Sequence, residues 1–214
     1  MQAIEKRNFQ CELEDIIKSL KSKPKLMLHA CCAPCSSYVL EYLSKYFEIT
    51  MLYYNPNITP ESEYKKRLCE LQRLLGEADF AQGVKLLPCD YDPERFFEIA
   101  KGLEHLPEGE ERCFKCYELR LRETVKAAIE NRSDYFTSTL SISPYKNSKK
   151  LAEVSLALES EYGIKWLPSD FKKKNGYKRS IELSKEYNLY RQNYCGCIFS
   201  KMQSEGKLQN DTSD

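Results

Sequence analysis

The sequence predicts an α/β fold: a mostly parallel sheet with helices on both faces, followed by a helical C-terminal cap. Three observations carry this prediction. Short apolar runs rich in strand-forming residues alternate with longer segments whose apolar residues recur at helical spacing, the pattern of strand, crossover helix and parallel strand. The chain has 214 residues, 42% of them hydrophobic and 30% charged, enough to bury a core of ordinary size without staples. No internal repeat and no low-complexity linker interrupts it.

The elements follow in order. Phe9, Leu13, Ile16, Ile17 and Leu20 lie on one face of an amphipathic first helix, and Lys25 to Ala30 reads as a short buried strand. After the Cys-Cys-Ala-Pro-Cys loop, Ser36 to Tyr46 is helical, with Val39, Leu40 and Leu43 on one side. Phe47 to Tyr54 forms the second strand, completing a βαβ unit. The Asn and Pro content of Asn55 to Pro60 marks a turn, and Pro60 suits the start of a helix running through Gly76. Gly83 to Cys89 supplies a third strand, after which Asp92 can cap a helix opening with Pro93. Cys113 to Asn131 is a helix, Asp134 to Leu140 a strand, Asn147 to Tyr162 a helix and Ile164 to Leu167 a last short strand. Residues 1–168 are thus expected to form the α/β core. Residues 169–214, which hold no further strand, form the cap and carry Cys195-Gly-Cys197.

Open parallel sheets collect ligands beyond the carboxyl ends of their strands. The unusual residues fall there: His29 to Cys32, Tyr54 to Asn57, Cys89 to Asp92 and Ser141 to Tyr145. Neither a P-loop nor a G-x-G-x-x-G turn follows the first strand, and eight glycines in the whole chain leave no loop suited to a nucleotide phosphate. ATP is expected neither to bind nor to be needed. Two histidines, His29 and His105, are too few for a histidine-rich metal site. His29 is read either as a strand-end residue satisfied by backbone or as a donor behind a metal ligand. The charged N-terminus has no apolar targeting core and no stretch reaches membrane length, so a cytoplasmic protein with reduced thiols and no membrane partner is expected.

Ten cysteines then need an explanation. Cys11, Cys69 and Cys89 are read as small hydrophobes. The other seven form three groups: Cys31, Cys32 and Cys35; Cys113 and Cys116; Cys195 and Cys197. A C-x-x-C pair sets two thiolates within reach of one metal, and the pair around Gly196 does so if the glycine folds tightly. Seven thiols exceed the four of a structural zinc site or of one iron–sulfur cluster, which favours two metal centres. Two other readings stand beside this one. Cys32 and Cys35 have thioredoxin-like spacing at a helix start and suit a thiol–disulfide oxidoreductase. Alternatively, the chain is a non-enzymatic binding module with structural zinc.

From Lys165 to Lys207, ten lysines and arginines face four carboxylates, although the whole chain carries only +1. This imbalance suggests an anionic partner on the C-terminal side.

The segments HACCAPCSSYVLEYL, YYNPNITPESEY, DYDPERF, RCFKCYELRL, SPYKNS and LYRQNYCGCIFS together resemble the epoxyqueuosine reductase family of the QueH type, from about Leu26 to Ser200. The resemblance implies a fold of the adenine-nucleotide-hydrolase or PP-loop type, with Cys31 to Cys35 standing where a phosphate loop would be. It implies an iron–sulfur enzyme that performs the last step of queuosine formation in tRNA, reductively removing the epoxide oxygen at the cost of two electrons and two protons. The cofactors implied are a 4Fe-4S cluster and an additional mononuclear iron, with electrons from an external donor. On this reading Cys31, Cys32, Cys113, Cys116, Cys195 and Cys197 are the metal ligands, their division open, and Cys35 is a reserve ligand or nearby catalytic thiol. Asp92 is a candidate ligand or proton donor, against its simpler role as a helix cap. Lys172, Lys173, Lys174, Lys178, Arg179 and Arg191, interleaved with Tyr177, Tyr190 and Tyr194, form a strip suited to tRNA phosphates and unpaired bases. Asn55, Ser143 and Tyr145 are expected to line the pocket for a modified base splayed out of the anticodon loop.

Overall fold

A computed structural model describes residue 4 and residues 7–206; the N-terminal residues 1–3, 5 and 6, and residues 207–214 of the expected cap, lie outside the described residues. The elements run α1 (Phe9–Ser19), β1 (Lys25–His29), α2 (Ala33–Leu43), β2 (Glu48–Tyr53), α3 (Glu61–Glu77), β3 (Lys85–Pro88), α4 (Glu94–Ala100), α5 (Glu111–Glu130), β4 (Tyr135–Ser138), α6 (Ser148–Tyr162), β5 (Lys165–Trp166), α7 (Gly176–Glu186) and α8 (Ile198–Ser204). All four strand pairings are parallel, in the order β3-β2-β1-β4-β5. The chain therefore winds outward from β1 to β3, then returns to the other side of β1 for β4. Residues that follow β1 sit at this reversal, where adjacent crossovers diverge and leave a crevice.

The strands are apolar on both sides, as a doubly covered sheet requires. Leu26 and Leu28 of β1 join Val39, Leu40 and Leu43 of α2 and Leu71 and Leu74 of α3 in one core. Met27, pointing the other way, packs with Leu121 and Val125 of α5 and Leu151 and Leu158 of α6. The segment after β5 is helical, as expected, and its Phe171 and Leu189 belong to the first of these cores.

Three local expectations change. Helix α2 starts at Ala33 rather than Ser36, with Pro34 in its first turn, where a missing N–H costs nothing; Cys35 is therefore helical. Asp92 does not cap α4, which begins at Glu94 behind Pro93 without a side-chain cap. Strand β4 ends at Ser138, whose hydroxyl accepts from the Leu140 N–H at 3.1 Å and turns residues Thr139–Ile142 into a 3-10 helix. No described helix is long and apolar enough to cross a membrane.

Candidate active site

Two sets of thiols meet at the reversal point. Cys31 follows β1, Cys32 is the N-cap of α2, and Cys35 lies in its first turn. Their three sulfurs lie within 4.8 Å of one another, and among the described residues no other group of three or more metal-type ligands is that close. Such a cluster can hold one metal ion. Cys31 Sγ is 3.8 Å from Cys32 Sγ and accepts from the Thr139 hydroxyl at 3.3 Å. Hydrogen bonds from Cys31 and Cys35 hold the Cys32 thiol well below its usual range, and the same sharing pushes Cys35 up. Cys32 is the sulfur that ionises first.

The second set comes from α5 and the C-terminal segment. Cys113, Cys116, Cys195 and Cys197 line one narrow cavity with Asn57, Phe96, Arg112, Tyr117, Arg120 and Lys146. Cys113 and Cys116 are on the inward face of α5, one turn apart. Gly196 makes the tight Cys-Gly-Cys turn: its φ is +125°, and an added Cβ would meet the Arg67 guanidinium and Ile58 at 3.0 Å. Burial raises three of these thiols: Cys113, Cys116, to about 11, and Cys197, to about 12. They stay protonated at neutral pH until a cation compensates them.

Buried cations stand between and around the sulfurs. Arg120 of α5 donates from Nη2 to Asn55 Oδ1 at 2.5 Å, while its Nη1 lies 4.0 Å from Cys116 Sγ. Its Nε donates to His29 Nε2 at 3.2 Å; the neutral ring then donates from Nδ1 to Ser138 Oγ at 2.8 Å. Burial, and next the Arg120 cation, push His29 down to about 3, so it remains neutral. Lys146, 7% exposed, donates to Glu108 Oε1 at 2.6 Å and to Cys195 Sγ at 3.1 Å. Although burial opposes the charge, the Cys195 sulfur and Glu108 raise Lys146 well above its usual range. Glu108 also accepts from Ser200 Oγ at 2.6 Å, and that oxygen accepts from the Cys195 N–H at 3.0 Å.

An open cavity of about 460 Å³ lies over both sets. Its floor includes Cys31, Cys32, Cys35 and Cys195, its walls Arg67, Arg120, Lys146 and Glu108, and its rim Tyr145, Tyr177, Arg191 and Tyr194. The volume falls within the range of about 300–1,000 Å³ typical of small-molecule sites. Arg67 of α3, 2% exposed, pins the Cys195 carbonyl from Nη1 at 3.0 Å and leaves Nη2 without a partner.

Residues 26–203 match the family model described as epoxyqueuosine reductase QueH. The chain belongs to the QueH family of epoxyqueuosine reductases. It is 42% identical to the epoxyqueuosine reductase QueH of Staphylococcus epidermidis over 206 residues, covering 93% of this chain and 87% of the relative. The QueH of Streptococcus pyogenes serotype M1 is 44% identical over 190 residues, 87% of this chain and 74% of that protein. The QueH of Thermotoga maritima is 32% identical over 188 residues, 85% and 93% respectively. QueH proteins are oxidoreductases, and the seven grouped cysteines all fall inside the matched span.

The QueH fold brings some of the expected site residues together and sends others elsewhere. Ser143, Tyr145 and Arg191 line the open cavity, and Cys35 lies with Cys31 and Cys32. Asn55 does not line it: Asn55 is 1% exposed, its amide donates to the Ala30 carbonyl at 2.9 Å, and its oxygen holds Arg120. Asp92 lines neither cavity. In the basic strip, Lys172 pairs with Asp170 at 2.8 Å, Lys174 with Glu14, and Arg179 with Glu41 at 2.6 Å. Tyr190 binds Glu63 through its hydroxyl at 3.3 Å and lies under the Lys66 ammonium, away from the cavity. Lys173 and Lys178 are exposed, and neither has an ion pair among the described residues. Cys11 and Cys69 are exposed on their helices rather than packed as hydrophobes, whereas Cys89 packs against the second core.

Sequence reading missed Arg67, Arg112, Arg120, Lys146 and Glu108. For Arg120 a signal existed: it lies four residues after Cys116 on one helix, hence on the same face. Arg67 and Glu108 reach the site from distant segments and carry no comparable mark.

Proposed function

We propose that this chain reduces epoxyqueuosine in tRNA to queuosine, with Cys113, Cys116, Cys195 and Cys197 holding a 4Fe-4S cluster and Cys31, Cys32 and Cys35 holding a single iron. The observation that carries this reading is the division of seven thiols into a tight set of three and a wider set of four beneath one open cavity. Three sulfurs within 4.8 Å suit one ion. Four sulfurs around a shared cavity, none within a close group of three, suit a polynuclear centre better than tetrahedral zinc. The buried Nε and Nη2 of Arg112, both without partners beside these thiols, further support an anionic group with acceptor atoms there.

The reaction takes two electrons from an external donor and two protons, breaks both C–O bonds of the epoxide, and leaves an alkene and water. When bound, the cluster and the iron supply single-electron transfer and Lewis acidity toward oxygen. The protein's own groups do the rest. Tyr145, Tyr177 and Tyr194 offer ring faces at the rim for an unstacked base. Arg67, Arg120 and Lys146 in the cavity wall favour the negative charge that grows on the departing oxygen.

Anaerobically prepared protein is expected to contain iron and acid-labile sulfide, with more iron than sulfide. With a chemical reductant it is expected to convert epoxyqueuosine-containing tRNA to the product lacking one oxygen, read by nucleoside mass spectrometry. Zinc without sulfide, or iron-replete protein that leaves the tRNA unchanged, overturns the reading.

The surface pairings also redistribute the expected phosphate contacts. Within the strip, Lys173, Lys178 and Arg191 have no carboxylate partner among the described residues and are the cations offered to tRNA, whereas Arg179 ties α7 to Glu41 of α2. Each of Lys173→Ala, Lys178→Ala and Arg191→Ala is expected to lower the slope of log K against log salt by roughly 0.7–0.9 and to raise KM with little change in kcat. Unchanged slopes in a filter-binding series would place tRNA on another face.

A further inference from the structure

The four-thiol cavity is surrounded by more buried positive charge than the protein pairs. Arg112 and Arg120 are each 1% exposed and Lys146 is 7% exposed, and all three line the cavity. Lys146 is matched by Glu108. Neither arginine has a carboxylate within 4.0 Å among the described residues. Arg112 spends Nη1 on the carbonyls of Leu103, Glu104 and Leu106, lays its guanidinium 4.7 Å from the Phe199 ring centre, and leaves Nε and Nη2 buried without partners. Arg120 meets only the neutral groups of Asn55 and His29, and otherwise Cys116.

A buried cation without an anion carries a large desolvation cost, so folds rarely tolerate one, let alone two on one cavity. The missing anion is supplied if the cavity's thiols are ionised and filled. An oxidised four-iron cluster bound by four thiolates carries two negative charges overall, matching the two unpaired arginines. We propose that Arg112 and Arg120 are the counter-cations of the four-thiolate site and set its reduction potential. This rests on the cluster assignment above and goes beyond it by giving Arg112, which does not line the open cavity, and Arg120, which lines both, a role in tuning the site's potential. Adding one electron from the external donor makes the site more negative. Two guanidinium charges and the free N–H donors of Arg112 stabilise that reduced form, so the site accepts the electron more readily.

Arg112 is the cleaner probe, because it lines the thiol cavity and not the open one, whereas Arg120 lines both. The experiment is an anaerobic redox titration followed by electron paramagnetic resonance on wild type, Arg112→Gln, Arg112→Lys and Arg120→Gln. Arg122→Gln serves as a charge-matched control, since Arg122 pairs with Glu118 and Glu161 on the outer face of α5. With iron and sulfide content equal to wild type, Arg112→Gln and Arg120→Gln are each expected to make one-electron reduction at least tenfold less favourable, a drop of about 59 mV per tenfold. Arg112→Lys keeps the charge and recovers most of the potential, and Arg122→Gln does not move it. Equal potentials across cluster-replete variants overturn the inference while leaving the cluster assignment intact. Wild-type protein without iron and sulfide removes the assignment itself. If Arg112→Gln does not fold, Arg112→Lys decides the matter: a fully loaded lysine variant whose reduction is tenfold less favourable overturns the charge-matching account.

Discussion

Replacing Cys195 and Cys197 together with alanine is expected to remove the acid-labile sulfide, most of the iron and all turnover, whereas Cys31→Ala with Cys32→Ala keeps the sulfide and loses only the iron in excess of it. The two double variants should therefore be equally inactive but chemically distinct. The distinction follows from geometry: Cys195 and Cys197 face Cys113 and Cys116 across one cavity, while Cys31 and Cys32 share their close contacts with Cys35. Loss of ligands should exceed the roughly 10–100-fold effects seen when a group that merely orients a ligand is changed. Cys11→Ala and Cys69→Ala, on exposed helix positions, should leave iron, sulfide and rate as in wild type. Iron and sulfide assays on anaerobic protein decide this. Equal sulfide in wild type and the Cys195, Cys197 variant would refute the assignment, and equal losses in both double variants would mean one shared centre.

The second large effect concerns packing rather than chemistry. Helix α7 crosses α2 at Gly176, where an added Cβ would lie 1.9 Å from the Phe171 carbonyl oxygen and 2.4 Å from the Tyr38 ring. A ring can shift; a backbone carbonyl at that distance cannot without moving the helix. Gly176→Ala is expected to cost about 3 kcal/mol or more, the upper end of overpacking penalties. For a chain of this size that lowers Tm by roughly 6–12 °C. Because α7 carries Tyr177 and Ser180 into the cavity wall, tRNA affinity should fall with it. Gly76→Ala makes the same change where nothing lies within 4 Å of the added carbon. In helix α3 it should be neutral or stabilise by up to ~1 kcal/mol. Thermal melts of the two variants with the same sign of shift would show that the α2–α7 contact is not the close one described.

Much of this protein is legible without coordinates, and the reason is periodicity. Leu26 to His29 and Glu48 to Tyr53 are short apolar runs, and the segments between them repeat every third or fourth residue, so strands, helices and a parallel sheet follow from local pattern. The three cysteine groups are equally visible, because chelate spacing is a property of neighbouring residues. What a linear pattern cannot express is which groups face each other. Cys113 and Cys197 are far apart in the chain and meet only because β1 sits at the centre of the sheet and α5 crosses behind it. Cys35 turns toward Cys31 and Cys32 because α2 begins three residues earlier, not because its spacing differs from any other C-x-x-C. Charge is the least legible term. Lys172, Lys174 and Arg179 read as a tRNA strip in one dimension, and the fold sets Asp170, Glu14 and Glu41 beside them. Arg112 and Arg120 look like ordinary helix-surface arginines and are buried with no carboxylate within 4.0 Å among the described residues. Ion pairing acts through space over a few ångströms, so the tertiary structure decides which charges remain available.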